Sequence, residues 1–166
     1  MKDRLTASDI KKMEEEMEYR KIELRPQLLE HVKVARAQGD LSENFEYYAA
    51  KRFKNQNEGR IRYLERMLKT ATIVSDTSAE DEVGLNDSVR VYIPEDDEED
   101  TYKITTSIRG DSLHNRVSIE SPLGKALLGA KVGDTRTVEV NPSYSYEVEI
   151  REIIKSDEED DKLKSF

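Results

Sequence analysis

Asp40 and Glu43 stand three residues apart in the segment Gly39-Asp40-Leu41-Ser42-Glu43-Asn44, between two long helical stretches. A pair of carboxylates offers hard oxygen ligands, and Mg²⁺, which takes octahedral oxygen coordination and keeps several waters, is the ion that suits them. Two ligands on an exposed turn are too few for a stable site, so a metal there needs further ligands from a partner. The same residues also suit a purely structural role. Asp is a turn former, and Glu near a helix N-terminus complements the helix dipole. Elsewhere the chemistry is sparse: His31 and His114 are isolated, and the seven glycines form no phosphate loop. The acidic run at 95–100 lacks the Asp-x-Asp-x-Asp-Gly spacing of a calcium loop. The absence of Cys excludes disulfide frameworks, thiolate zinc sites and cysteine nucleophiles.

Two helices must hold this tip. Thr6 and Asp9 have capping-box spacing. From there Ile10, Met13, Met17, Leu24, Leu28, Val32 and Ala35 recur at helical steps and form one apolar stripe. Pro26 removes a backbone donor and predicts a kink. Gly39 is the expected stop and Ser42 the expected cap of a second helix over about 43–71. Its apolar positions are Phe45, Ala49, Phe53, Leu64, Met67, Leu68 and Ala71. A connection this short makes the helices antiparallel neighbours. About 30 residues each at ~1.5 Å per residue give a hairpin about 45 Å long, a probe with a tip.

The charge distribution is uneven. Residues 1–74 hold 16 Lys+Arg against 13 Asp+Glu, whereas residues 75–166 hold 11 against 23, for a net charge of −9. Residues 47–74 carry seven basic residues and only Glu58 and Glu65. An acidic chain with a local basic strip suits one specific polyanion or acidic surface better than nucleic acid in general. Lys51, Lys54, Arg62, Arg66 and Lys69 fall on the side of the second helix opposite its expected apolar face. One reading is a solvated face with Glu58–Arg62 and Glu65–Lys69 pairs. The other is a binding patch, for which Lys51 and Lys54, nearer the tip and without acidic partners at i±4, are the better candidates. Arg52 adjoins them, and Arg60 projects onto the apolar side, where pairing and partner contact are both open.

The second half reads as a small β-rich domain after a polar linker at 76–82. Strands are expected at 89–93, 102–108, 117–119, 135–140 and 144–154, the last with a bulge, and a short helix at 123–128. The tail at 156–166 has a disordered composition. Leu, Ile, Val and Phe make up 38 of 166 residues, enough for a small core only. No apolar run reaches the ~18 residues of a membrane span, and the first ten residues lack a secretory apolar region. A cytoplasmic, membrane-free protein is expected.

Gly39-Asp-Leu-Ser-Glu-Asn-Phe-Glu-Tyr-Tyr-Ala-Ala-Lys51, followed by Glu58-Gly-Arg-Ile61, resembles the signature of the bacterial GreA/GreB transcript cleavage factors. The Arg25-Pro26 step is similar to theirs, as is Ser118-Ile-Glu-Ser-Pro-Leu-Gly-Lys-Ala-Leu-Leu-Gly129 with Val132-Gly-Asp134. The resemblance runs from about residue 6 to 154. It implies an α+β fold: an N-terminal antiparallel coiled-coil hairpin over 1–75, then an FKBP-like C-terminal domain over 83–155 that docks on polymerase. It implies a monomer that enters the secondary channel of bacterial RNA polymerase and reaches the extruded RNA 3′ end of a backtracked complex. Asp40 and Glu43 then match the acids that share a Mg²⁺ with polymerase, so the factor is not an enzyme by itself. Lys51, Arg52, Lys54, Arg60 and Arg62 are the implied basic patch toward RNA and the channel.

Ser42 stands where a basic residue is common in the family, and Phe45, Tyr47 and Tyr48 are bulkier than many members' residues. The alternatives are a channel-binding inhibitor without cleavage, or a prolyl isomerase or chaperone with a coiled-coil handle. A tip with only two acids in this motif favours cleavage over inhibition, and a chain with three Phe and no Trp is poor material for a proline pocket.

Overall fold

In the computed structural model, which describes residues 3–38, 44–156, 163 and 164, the capping box predicted at Thr6 forms in both directions. The Thr6 amide donates to Asp9 Oδ2 at 2.9 Å and the Asp9 amide donates to Thr6 Oγ1 at 3.0 Å. From it runs helix α1, Ala7–Tyr19, then a π-helical turn over Arg20–Leu24 and helix α2, Arg25–Arg36. Pro26 has no N–H to give, and the ladder on its N-terminal side takes the wider π spacing. The Arg25 amide donates to the Arg20 carbonyl, five residues back. The expected apolar stripe holds: Met13 and Ala35 are buried, and Ile10, Met17, Leu24, Leu28 and Val32 are half-buried.

Helix α3 spans Phe45–Thr70, and its cap is Asn44 rather than Ser42. Gly39 and Ser42, the expected stop and cap, lie outside the described residues. Its buried face corrects the predicted one. Tyr47, Asn57, Arg60, Ile61, Leu64 and Met67 are buried, whereas Phe45 and Phe53 are 85 % and 55 % exposed. The seam follows alternating steps of three and four through Tyr47, Lys54, Asn57, Ile61, Leu64 and Leu68. Polar residues occupy its middle, so selecting by apolarity moves to the neighbouring face.

The chain divides into two compact units, one of Ile10–Ala71 and the other joining the described residues of Met1–Asp9 to those of Thr72–Ser165. The hairpin therefore excludes the first nine residues, which were expected within it. They pair instead with the chain that follows α3: strand β1, Arg4–Leu5, lies parallel to β2, Thr72–Ile73. Val74 extends the contact by donating to the Leu5 carbonyl at 2.8 Å.

This second unit is built on a five-stranded sheet of β3 (Ser88–Ile93), β4 (Glu98–Thr105), β5 (Arg116–Ser118), β6 (Thr135–Asn141) and β7 (Tyr144–Ile154). Their order is β5-β4-β3-β7-β6, antiparallel except for the β4–β5 pair. Alternation delivers Val89 and Val91 from β3, and Val148 and Ile150 from β7, to one core with Ile104, Val138 and Leu127. The bulge expected in β7 is present. Val91 faces Ile150 while Arg90 faces Glu152, which leaves Arg151 extra. Strand β4 begins earlier than predicted because the acidic connection is a turn of 94–97 only, with Asp97 at φ 51°. Glu98–Thr105 then pairs with β3, and Arg90 holds Glu99 at 2.9 Å and Glu152 at 3.2 Å. The β4 strand also stops short of the predicted 108, where Ser107–Arg109 turns as a 3₁₀ helix.

That turn has a long-range cause. Asp9 is fully buried and accepts from Thr106 Oγ1 at 2.7 Å and from Arg109 Nε. Arg109, 1 % exposed, also donates to Ser8 Oγ at 3.1 Å. The polar segment expected as a linker is tied down as well. Lys155 Nζ donates to Ser78 Oγ, to the Ala79 and Glu82 carbonyls, and to buried Asp87 at 2.7 Å. Burial pushes the Lys155 ammonium down, but Asp87 outweighs it and the group titrates above its ordinary range.

Helix α4, Pro122–Leu127, capped by Ser121, approaches the end of β5 at Gly124. A Cβ there would lie 1.9 Å from the Ser118 carbonyl oxygen, which already accepts from the Ser121 amide and hydroxyl. Gly124→Ala is therefore expected to destabilise this unit by about 1–3 kcal/mol through overpacking of backbone on backbone. Gly110→Ala, whose Cβ would meet nothing nearer than 3.5 Å, is the near-neutral control. Urea unfolding midpoints of the two variants measure the difference.

Candidate functional site

Asp40 and Glu43 lie outside the described residues, as do Gly39, Leu41 and Ser42. What is described is the pair of helix ends that carry them. Helix α2 stops at Arg36, and Ala37 and Gln38 turn back through hydrogen bonds to the Lys33 and Ala35 carbonyls. Helix α3 starts at Asn44, whose Oδ1 accepts from the Tyr47 amide at 3.0 Å. The same amide group turns its Nδ2 to the Ala35 carbonyl at 2.6 Å. One turn further in, Arg36 donates to Tyr47 Oη at 3.4 Å and lies 5.5 Å from that ring's centroid. This hydrogen bond holds the Tyr47 phenol below its ordinary range, and the charges of Lys51 and Lys54 act in the same direction. Tyr48 packs edge-on against Tyr47, with centroids 5.4 Å apart.

The middle of the hairpin is held by charge and hydrogen bonds. Glu16 takes Arg60 in a bidentate grip at 2.7 and 3.1 Å and Arg20 at 2.7 Å. Arg20 reaches Asn57 Oδ1 at 2.9 Å, and Asn57 Nδ2 returns to the Arg20 carbonyl at 3.2 Å. That carbonyl already takes the π-spaced Arg25 amide, so Asn57 supplies its second donor. Arg25 grips Glu58 at 2.7 and 2.8 Å, and Lys21 meets Glu65 at 2.8 Å. From Glu16–Arg60 through Arg20–Asn57 to Arg36–Tyr47 the partners run in opposite directions along the two helices, the antiparallel arrangement that the short connection predicted.

These contacts decide the fate of the predicted basic patch. Arg60 does not join it: 4 % exposed and paired with Glu16, it belongs to the seam, because a buried guanidinium requires a carboxylate partner. Lys54 is half-buried at a seam position. Lys51, Arg52 and Arg62 are exposed on α3, as are Arg66 and Lys69. The expected Glu58–Arg62 and Glu65–Lys69 pairs give way to Arg25–Glu58 and Lys21–Glu65, which cross between helices. Of the predicted patch, Lys51 and Arg52 are the exposed members nearest the tip in sequence.

Asn44 and Arg36 were not singled out from the sequence, and Tyr47 only for its bulk. The available signal was that Asn ranks with Ser as a cap and stands three residues before Tyr47. Its second bond, to a residue nine positions back, has no sequence signature. Among the described residues no group of three or more His, Cys, Asp or Glu side chains could hold a metal, and no helix is long and apolar enough to cross a membrane.

Comparison with known proteins divides the chain in sequence after residue 73. Residues 4–73 match a family described as "Transcription elongation factor, N-terminal", and residues 77–155 match "Transcription elongation factor, GreA/GreB, C-term". The chain is similar to transcription elongation factor GreA of Thermoanaerobacter pseudethanolicus, with 46 % identity over 91 % of this chain and 96 % of the relative. It is 43 % identical to transcription elongation factor GreA of Streptococcus pneumoniae serotype 19F, over 92 % of this chain and 95 % of that one. A solved structure, GreA factor homolog 1 (Gfh1) of Thermus thermophilus, aligns at 25 % identity over 93 % of this chain and all of that one, with a TM-score of 0.44.

The ion pairs set a pH dependence for the hairpin. Burial pushes the Glu16 carboxyl up, but hydrogen bonds and charge from Arg60 and Arg20 outweigh it and hold the group below its ordinary range. A depressed folded-state value adds stability above the unfolded value, about 4.3 for Glu, and loses it as pH falls through the folded value. Glu16→Gln is therefore expected to lower the urea midpoint of helix unfolding at pH 7. The gap to wild type should close as pH falls below the unfolded value and through the lower folded one, where the Glu16 carboxyl becomes neutral like the Gln. A gap independent of pH would assign the loss to packing instead.

Proposed function

As the chain belongs to the GreA/GreB family and is a transcription elongation factor of the GreA type, we propose that it acts by lending the Asp40 and Glu43 carboxylates to the active centre of bacterial RNA polymerase. The observation that carries this reading is the match of both family regions across nearly the whole chain; the Gly39–Lys51 segment that resembles the family signature runs in sequence from just after α2 into α3.

The hairpin enters the secondary channel, where the 3′ end of a backtracked RNA is extruded. A Mg²⁺ ion bound there polarises phosphate and lowers the pKa of a water so that it can attack. The donor set fits this ion: two hard carboxylate oxygens, too few alone for octahedral coordination, suit a ligand shell completed by polymerase and water. Asp40 and Glu43 bring negative charge and acceptor oxygens to the position where the water must be oriented. Lys51 and Arg52, exposed on the α3 segment that follows, present positive charge toward the RNA and channel. The β-rich unit docks at the channel rim, and the factor works as a monomer with no turnover of its own. Polymerase then cleaves its own transcript, and a 3′ end in register allows elongation to resume.

The test uses stalled, backtracked complexes of the matching bacterial polymerase in Mg²⁺. Wild type is expected to shorten the transcript rapidly. Asp40→Asn and Glu43→Gln should each lower the stimulated cleavage rate by on the order of 10² or more, with polymerase binding largely kept. Full cleavage by the double variant would sink the shared-metal reading. Slowed synthesis without shortening by wild type would identify an inhibitor.

A further inference from the structure

Asn44 does more than cap a helix. An N-cap needs only an acceptor, and Asn44 Oδ1 meets that need by taking the Tyr47 amide at 3.0 Å. Its Nδ2 is free for a second task and donates to the Ala35 carbonyl at 2.6 Å, across nine residues of sequence. Ala35 is buried in the last turn of α2, and its carbonyl also takes the Gln38 amide at 3.2 Å. One rigid, planar side chain thus touches the outgoing end of α2 and the incoming end of α3. The segment between them, residues 36–43, contains Asp40 and Glu43, and Glu43 is bonded directly to Asn44.

We propose that Asn44 is a positioning residue for the tip carboxylates, and that its Nδ2–Ala35 bond, not its capping bond, is what the cleavage reaction needs. This rests on the reading of Asp40 and Glu43 given above. Two carboxylates that must complete a partner's metal site have to arrive with a set separation, and a displacement of about 1 Å at a reacting centre can cost on the order of 10²-fold in rate. The described ends of the segment that carries them are tied to each other by Asn44. The Arg36–Tyr47 contact joins the same two helices through neighbouring residues, so the helices stay joined when the Asn44 bridge is lost.

The two bonds can be separated chemically. Asn44→Asp keeps an acceptor for the Tyr47 amide but has no hydrogen to give to Ala35. Asn44→Ser keeps a capping oxygen and adds no charge, and its single hydroxyl, on a shorter side chain, cannot occupy both positions. Far-UV circular dichroism and the exchange rate of the Tyr47 amide should match wild type in both variants. In the cleavage assay, factor concentration at half-maximal rate should also be unchanged. The maximal rate at saturating factor should fall by about tenfold or more in both, with more Mg²⁺ needed to reach it.

Wild-type maximal rate and Mg²⁺ dependence in either variant overturns the proposal, since the cap alone would then suffice. Loss of helix content or Tyr47 protection in step with the rate also overturns it, because the role would be helix stability. Wild type and Asp40→Asn run alongside keep the two ideas apart. If Asp40→Asn cleaves normally, the reading of the tip has failed; if it does not while Asn44→Ser does, only the positioning role has.

Discussion

Glu16 is the point on which the hairpin turns. Its carboxylate takes the buried Arg60 guanidinium from the opposite helix and Arg20 from the next turn of its own. A two-helix hairpin buries little, and this one buries few apolar side chains; a slip by one turn would still cover apolar surface with apolar surface. It would also leave Arg60 buried without a carboxylate, and a buried charge stripped of its partner costs about 3–5 kcal/mol. Directional polar bonds therefore choose the register that apolar contacts only make favourable. Register matters here because the proposed working residues lie in sequence between the two helices, and a slipped helix shifts the point at which it meets that segment.

The π turn belongs to the same device. Pro26 cannot continue an ordinary ladder, and the wider spacing just before it leaves the Arg20 carbonyl with room for a second donor. Asn57 fills that role while accepting from the Arg20 side chain. A local backbone irregularity on one helix is thereby matched to one residue on the other. The same economy appears at the start of the chain, where Asp9 closes its own capping box and also receives Arg109 and Thr106 from a hundred residues away. The first nine residues are held by the β-rich unit through these bonds and through the β1–β2 pair.

Charge follows the same logic of commitment. The strip at 47–74 reads as uniformly basic in the sequence, but its members have different tasks. Arg60 is used inside the seam, Lys54 lines it, and Arg25 and Lys21 draw Glu58 and Glu65 away from their helical neighbours. Lys51 and Arg52, near the tip, are left to face outward. A cationic surface smaller than the composition suggests, with Lys51 and Arg52 in the first turns of α3, suits a narrow contact with one polyanion rather than broad attraction to nucleic acid.

Much of this protein was determined locally and could be read from the chain. The capping box at Thr6, the first helix's apolar stripe, the disturbance near Pro26, the alternation of Val148 and Ile150 and the bulge beside them are all marked by patterns of residues within a short stretch of sequence. The motif from Gly39 to Lys51 marked Asp40 and Glu43 as the acids of interest before any coordinates. The tertiary structure decided which face of the second helix is inside, because Asn57 and Arg60 are buried by partners on another helix and apolarity pointed to Phe45 and Phe53. It decided that Arg60 pairs rather than binds, that the first nine residues leave the hairpin, and that Asn44 bridges to Ala35. Each of these depends on a polar group satisfied by a residue distant in sequence. A side chain's own chemistry states what it must find, but only the fold supplies the partner.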